Sequence, residues 1–147
     1  MPETILVAVD GSPLSKRAFE QALSDAESEV VALHVIDPTD PGYSTPFDVD
    51  VSLEPLHGTD EWYERADELA SEVFEELTEL AEGSGLEVQT ETLRGEPARA
   101  IIRYADENDV DAIYVGGHGR SDVADPLFGS VAELIVSRSP VNVMVVR

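Results

Sequence analysis

An α/β architecture is what this sequence predicts: an open five-stranded parallel sheet with helices on both faces. Three observations carry that expectation. Residues 4–9 (Thr-Ile-Leu-Val-Ala-Val) and 30–36 (Val-Val-Ala-Leu-His-Val-Ile) are apolar at nearly every position and rich in β-branched side chains. Such runs fit strands buried on both faces, the condition of a parallel sheet. Between strand-like runs lie segments with apolar residues at helical spacing, and the order β-α-β-loop-α-β-α-β-α-β is that of crossover units. The 147 residues suffice for one core of this kind, so residues 1–147 are expected to form a single domain.

Each element has its own justification. The first strand ends at Asp10-Gly11-Ser12-Pro13, where Ser12 suits a helix N-cap and Pro13 a first helical position. Leu14, Ala18, Phe19, Ala22, Leu23 and Ala26 then form an apolar helical stripe into the second strand. Residues 37–58, with Pro38, Pro41, Pro46 and Pro55, read as a long surface loop and a lid candidate. Thr59 caps a helix running to about Glu82 on the stripe Trp62, Ala66, Leu69, Val73, Leu77 and Leu80, and Gly83-Ser84-Gly85 stops it. Residues 86–93 alternate apolar and polar, as an edge strand with one wet face does. Arg94-Gly95-Glu96-Pro97 turns into a helix carrying Ala98, Ile101, Ile102 and Ala105. The fourth strand, 111–115, runs into Gly116-Gly117-His118-Gly119. A helix opening at Ser130 follows, and the last strand runs from Val141 to Val146.

Composition excludes whole classes of function. Thirty-one acidic residues face nine basic ones, giving a formal charge of −22, with Lys16 the one lysine. A nucleic-acid partner is not expected, because phosphate contacts need Lys and Arg. With no cysteine there are no disulfides, thiolate metal sites or Cys nucleophiles. His34, His57 and His118 are scattered, so no metal site is expected from them. No apolar run approaches the ~18 residues that span a bilayer, and no basic n-region marks a signal peptide. The expectation is a cytoplasmic protein without a membrane partner. Its dispersed acids and scarce lysine suit a salty, halophilic interior, where self-repulsion is screened.

For strand order 3-2-1-4-5, the order reverses between strands one and four, and ligands bind outside the carboxyl ends there. That crevice would hold Asp10-Gly11-Ser12 and the glycine cluster. From Gly116 the chain reads Gly-x2-Gly-x9-Gly-Ser, ending at Gly129-Ser130. Glycines let backbone N–H groups approach a phosphate, and the N-terminus of the last helix favours negative charge. The Ser130 hydroxyl serves either a phosphate or the helix cap, and the sequence leaves both open. His34 reads as a core histidine, and Trp62 as a helix anchor rather than a stacking platform.

The chain resembles the universal stress protein family along essentially its whole length. The resemblance rests on Ile-Leu-Val-Ala-Val-Asp-Gly-Ser at the start, Leu-His-Val-Ile-Asp at 33–37, Gly-Glu-Pro at 95–97, the Gly-x2-Gly-x9-Gly-Ser element and the terminal strand. It implies an adenine nucleotide alpha hydrolase-like sheet, a homodimer built through strand 141–146, and bound ATP or another adenine nucleotide. By position, Asp10 would hold the ribose, Val9 line the site, and Val35 meet the adenine edge through its backbone. Gly116, Gly119, Gly129, Ser130 and Val131 would hold ribose and phosphates, with Gly117 and His118 close by. Asp122, Asp125 and Pro126 depart from the family's spacer; acids there would call for Mg²⁺ beside a triphosphate, or weaken the phosphate site. The function implied is a nucleotide-binding regulatory module of the stress response. A slow Mg-dependent ATP hydrolase and a nucleotide-free dimeric adaptor are the alternatives, although no lysine clamp or catalytic base is assigned.

Overall fold

The structure, a computed structural model, describes residues 2–38, 59–117 and 129–147. Among these residues the elements are β1 (Thr4–Ala8), α1 (Pro13–Asp25), β2 (Glu29–Ile36), α2 (Asp60–Ala81), β3 (Glu87–Arg94), α3 (Pro97–Glu107), β4 (Ala112–Gly116), α4 (Ser130–Arg138) and β5 (Asn142–Val146). They form one parallel sheet, as the alternation predicts, and its order is β3-β2-β1-β4-β5, the order on which the expected crevice rests. The proposed lid falls almost wholly outside the described residues, as do His57, His118, Gly119, Asp122, Asp125 and Pro126.

Local sequence sets where the helices start. Ser12 accepts from the Ser15 N–H at 3.3 Å, with Pro13 opening α1, and Thr59 accepts from the Trp62 N–H at 3.2 Å. Capping of this kind contributes about 1 kcal/mol each. At α3 the cap is Glu96, whose carboxylate accepts from the N–H groups of Ala98 at 3.2 Å and Arg99 at 3.1 Å. The helix start at Arg94-Gly95-Glu96-Pro97 is as expected, and the capping role of Glu96 is new.

Strand alternation divides the core in two. Ile5, Val7, Val9, Val30, Ala32 and Tyr114 face α1 and α2, meeting Phe19, Ala22, Val73 and Leu77. Leu6, Val31, Leu33, Val35, Ile113 and Val115 face α3 and α4, meeting Ala98, Ile101 and Ile135. Burial of each large aliphatic side chain contributes roughly 1.5–3 kcal/mol. Trp62 is fully buried with Ile36 and Ala66, so it anchors α2 as expected. The Tyr114 hydroxyl donates to Asp25 at 2.5 Å, joining β4 to the end of α1; burial and then the Asp25 carboxylate push its pKa up to about 12.

The two sheet edges differ in chemistry. β3 carries Glu87 and Glu91, a charged edge that resists further pairing. β5 carries no charge, and its Met144 is 44% exposed.

Candidate functional site

The crevice lies at the carboxyl ends of β1, β2 and β4, where the strand order reverses. Its first wall is the turn after β1. The Asp10 carboxylate accepts from the Ser12 N–H at 2.9 Å, and the Asp10 N–H donates to Ser15 Oγ at 3.3 Å. Ser15 Oγ also donates to the Ser12 carbonyl at 3.0 Å, so the turn is tied to the first turn of α1. Gly11 sits at φ +83°, the left-handed region, beneath a Val73 methyl of α2. Asp10 is half-buried.

The second wall is built by glycines. A Cβ on Gly116 would lie 2.9 Å from Leu14 Cβ and 3.0 Å from the Leu14 carbonyl carbon. Glycine is required here by the close approach of α1, whatever the site binds. That contact also brings the end of β4 against the turn of Asp10. Gly117 donates to the Val146 carbonyl at 2.8 Å and accepts from the Gly129 N–H at 2.5 Å. The two ends of the glycine element therefore meet directly, although nine residues separate Gly119 from Gly129 in sequence.

α4 begins on Gly129 with no side-chain cap, and the Ser130 hydroxyl is on an exposed residue at the first helical position. This resolves the choice the sequence left open: Ser130 is not the cap, and the first N–H groups of α4 have no side-chain acceptor from the N-cap. The N-terminal amides of a helix and its dipole suit an anion. Val131 is half-buried and packs on the α3–α4 side, so it offers the site only its main chain.

The third wall is main chain. Pairing of β1 with β2 ends at Ala8↔Leu33, followed by a Val9 N–H bond to the Leu33 carbonyl at 2.9 Å. The Val9 and Val35 side chains are buried, 3% and 8% exposed, on opposite faces of the sheet. What Val35 can present to the crevice is its N–H and C=O. His34, between them in the fold, is fully buried and bonds the Val9 carbonyl through Nδ1 at 2.7 Å.

Together these groups fit an adenine nucleotide: a main-chain donor and acceptor for a base, a carboxylate for ribose hydroxyls, and helix amides for phosphate. A groove of about 470 Å³ lined by Ser71, Phe74, Glu75, Thr78, Glu79 and Thr90 lies instead between α2 and β3. The carboxylates of Glu75 and Glu79 would repel a phosphate there. Among the described residues no group of three or more His, Cys, Asp or Glu side chains could hold a metal ion. No helix among them is long and apolar enough to cross a membrane.

Known proteins share this architecture. A universal stress protein of Methanocaldococcus jannaschii, MJ0531, is 32% identical over 97% of this chain and 81% of its own. The solved structure of protein MJ0577 from the same organism superposes with a TM-score of 0.79 at 26% identity, covering 98% of this chain and 94% of that one. A universal stress protein solved in complex with cAMP gives a TM-score of 0.68 at 23% identity, covering 99% and 97%. The profile of the universal stress protein family matches residues 1–147, and the chain belongs to that family.

Proposed function

We propose that this protein binds an adenine nucleotide, ATP by preference, and acts as a nucleotide-dependent regulatory module of the stress response rather than as an enzyme. The observation that carries the reading is the meeting of Gly117 with Gly129 beside the Asp10 turn, which sets a helix N-terminus with glycine as its N-cap near the switch point of the sheet. The cAMP complex of a protein with the same fold supports the ligand class. Gly129, Ser130 and Val131 would hold phosphate, Asp10 the ribose and Val35 the base, with Gly116 and Gly117 framing the site. His118 and Gly119 complete the element in sequence. Mg²⁺ would offset the charge of the acidic spacer. The single domain spans residues 1–147 and works in the cytoplasm.

The test is direct. Protein purified in molar KCl with Mg²⁺ and then denatured should release close to one adenine nucleotide per chain, identified by chromatography and mass. Asp10→Ala should lower the affinity for ATP at least tenfold, while circular dichroism stays that of wild type. Empty protein that also ignores added ATP in calorimetry would sink the reading and favour the adaptor.

The homodimer is proposed through β5. An uncharged edge strand with Met144 exposed is an aggregation liability unless a second copy pairs with it across a two-fold axis. Sedimentation equilibrium should give a dimer for wild type and a monomer for Met144→Asp. A wild-type monomer at all accessible concentrations would remove the idea.

A further inference from the structure

We propose that His34 acts as a positioning residue which stops the β1–β2 ladder one rung early and so keeps the Val35 main chain open to select adenine. This rests on the nucleotide reading above and adds to it the origin of base specificity.

In a parallel pair, a residue turned toward its neighbour donates its N–H to one residue of the facing strand and accepts at its C=O from the residue two further on. The Val9 N–H donates to the Leu33 carbonyl, and the following rung would run from the Val35 N–H back to the Val9 carbonyl. That rung is not made. The Val9 carbonyl instead lies 2.7 Å from His34 Nδ1. A carbonyl oxygen only accepts, so Nδ1 carries the proton. His34 is fully buried and its ring stands nearly perpendicular to that of Phe74, 6.3 Å between centroids, so α2 helps set the imidazole plane.

On the other side of β2, the Gly95 N–H donates to the Ile36 carbonyl. Even-numbered residues of this stretch therefore turn their main-chain groups toward β3, and Val35 turns its own toward the space beyond the end of β1. A strand N–H and C=O side by side match the adenine edge, where the N1 acceptor adjoins the N6 amino donor. Guanine carries the reverse pair at these positions, an N1–H donor beside the O6 acceptor. With the ribose held at Asp10, guanine would set donor against donor and acceptor against acceptor, which a buried site rejects.

Three variants test this. His34→Leu removes the donor, and the Val9 carbonyl should then take the Val35 N–H. In the nucleotide-free protein, hydrogen exchange at the Val35 amide should slow at least tenfold. The affinity for ATP should fall at least tenfold, and the preference for ATP over GTP should shrink toward unity. His34→Asn places an amide N–H close to the position of Nδ1 and should restore both the wild-type exchange rate and the preference. His34→Gln carries its amide one methylene further and should restore neither. If His34→Leu fails to fold, the Asn–Gln pair makes the same comparison.

A purely structural histidine would lower the melting temperature in the variants without changing the ATP-to-GTP ratio. That result, or unchanged Val35 exchange in His34→Leu, overturns the proposal. If wild type binds neither nucleotide, the nucleotide reading fails and base selection falls with it, while exchange at Val35 in the empty protein still decides whether His34 holds the rung open.

Discussion

Gly116→Val should destabilise the fold by about 3 kcal/mol or more, the upper end of what overpacking costs. A Cβ there meets Leu14 Cβ at 2.9 Å, the Leu14 carbonyl carbon at 3.0 Å and the Ser15 N at 3.2 Å. Two of those atoms are backbone in the first turn of α1, so no side-chain rotation relieves the clash. The helix itself would have to lift, and it carries the fully buried Phe19, Ala18 and Ala22. Against a typical total of about 5–15 kcal/mol, that loss is a large fraction of stability. Urea unfolding monitored by circular dichroism measures it. Gly117→Ala is the internal control, since its Cβ would meet nothing closer than the Val146 carbonyl at 3.5 Å. Equal midpoints for Gly116→Val and wild type would refute the packing account.

Removal of salt should have an effect of similar size. The chain carries 31 acids against nine bases, and the exposed face of α2 concentrates them at one-turn spacing: Glu64, Glu68, Glu72 and Glu76. Like charges at that spacing each destabilise a helix by roughly 0.2–0.5 kcal/mol. Lys16 pairs with Glu76, a contact at the surface and worth little. At ~1 M salt the Debye length is about 3 Å and the repulsion is screened; at ~0.01 M it reaches about 30 Å, spanning the whole domain. Helical ellipticity should therefore fall between molar and millimolar KCl, and the melting temperature should rise with the logarithm of salt concentration. Full ellipticity at millimolar KCl would show that the acids are tolerated without screening, and would end the halophilic reading.

The fold was legible because its strands are apolar on both faces. Residues such as Leu6 and Val31 on one side, Val7 and Ala32 on the other, leave no reading but a sheet covered twice. Caps built from Ser12 and Thr59 were legible for a local reason: the side chain bonds an amide three residues ahead. Glu96 was missed because a glutamate before proline has no such fixed signature. Among the described residues, the approach of Gly116 to the first turn of α1 after Asp10 follows from the strand order. What sequence could not separate was the cause of each glycine. Gly116 answers to the backbone of α1 across the sheet, a neighbour 102 positions away for Leu14. His34 was recognised as a core residue, but its bond to Val9 depends on where the ladder stops, and pairing registers are not written in either strand alone.

The bond from the Gly129 N–H to the Gly117 carbonyl fixes both ends of the intervening stretch to each other and, through Val146, to the sheet. A chain whose ends are clamped can change between them at little cost, since closure entropy grows only slowly with length. The clamp runs from main chain to main chain, so it joins the end of β4 to the start of α4 without help from any side chain. Substitutions at Asp122 or Asp125 would therefore be read against two ends that stay joined.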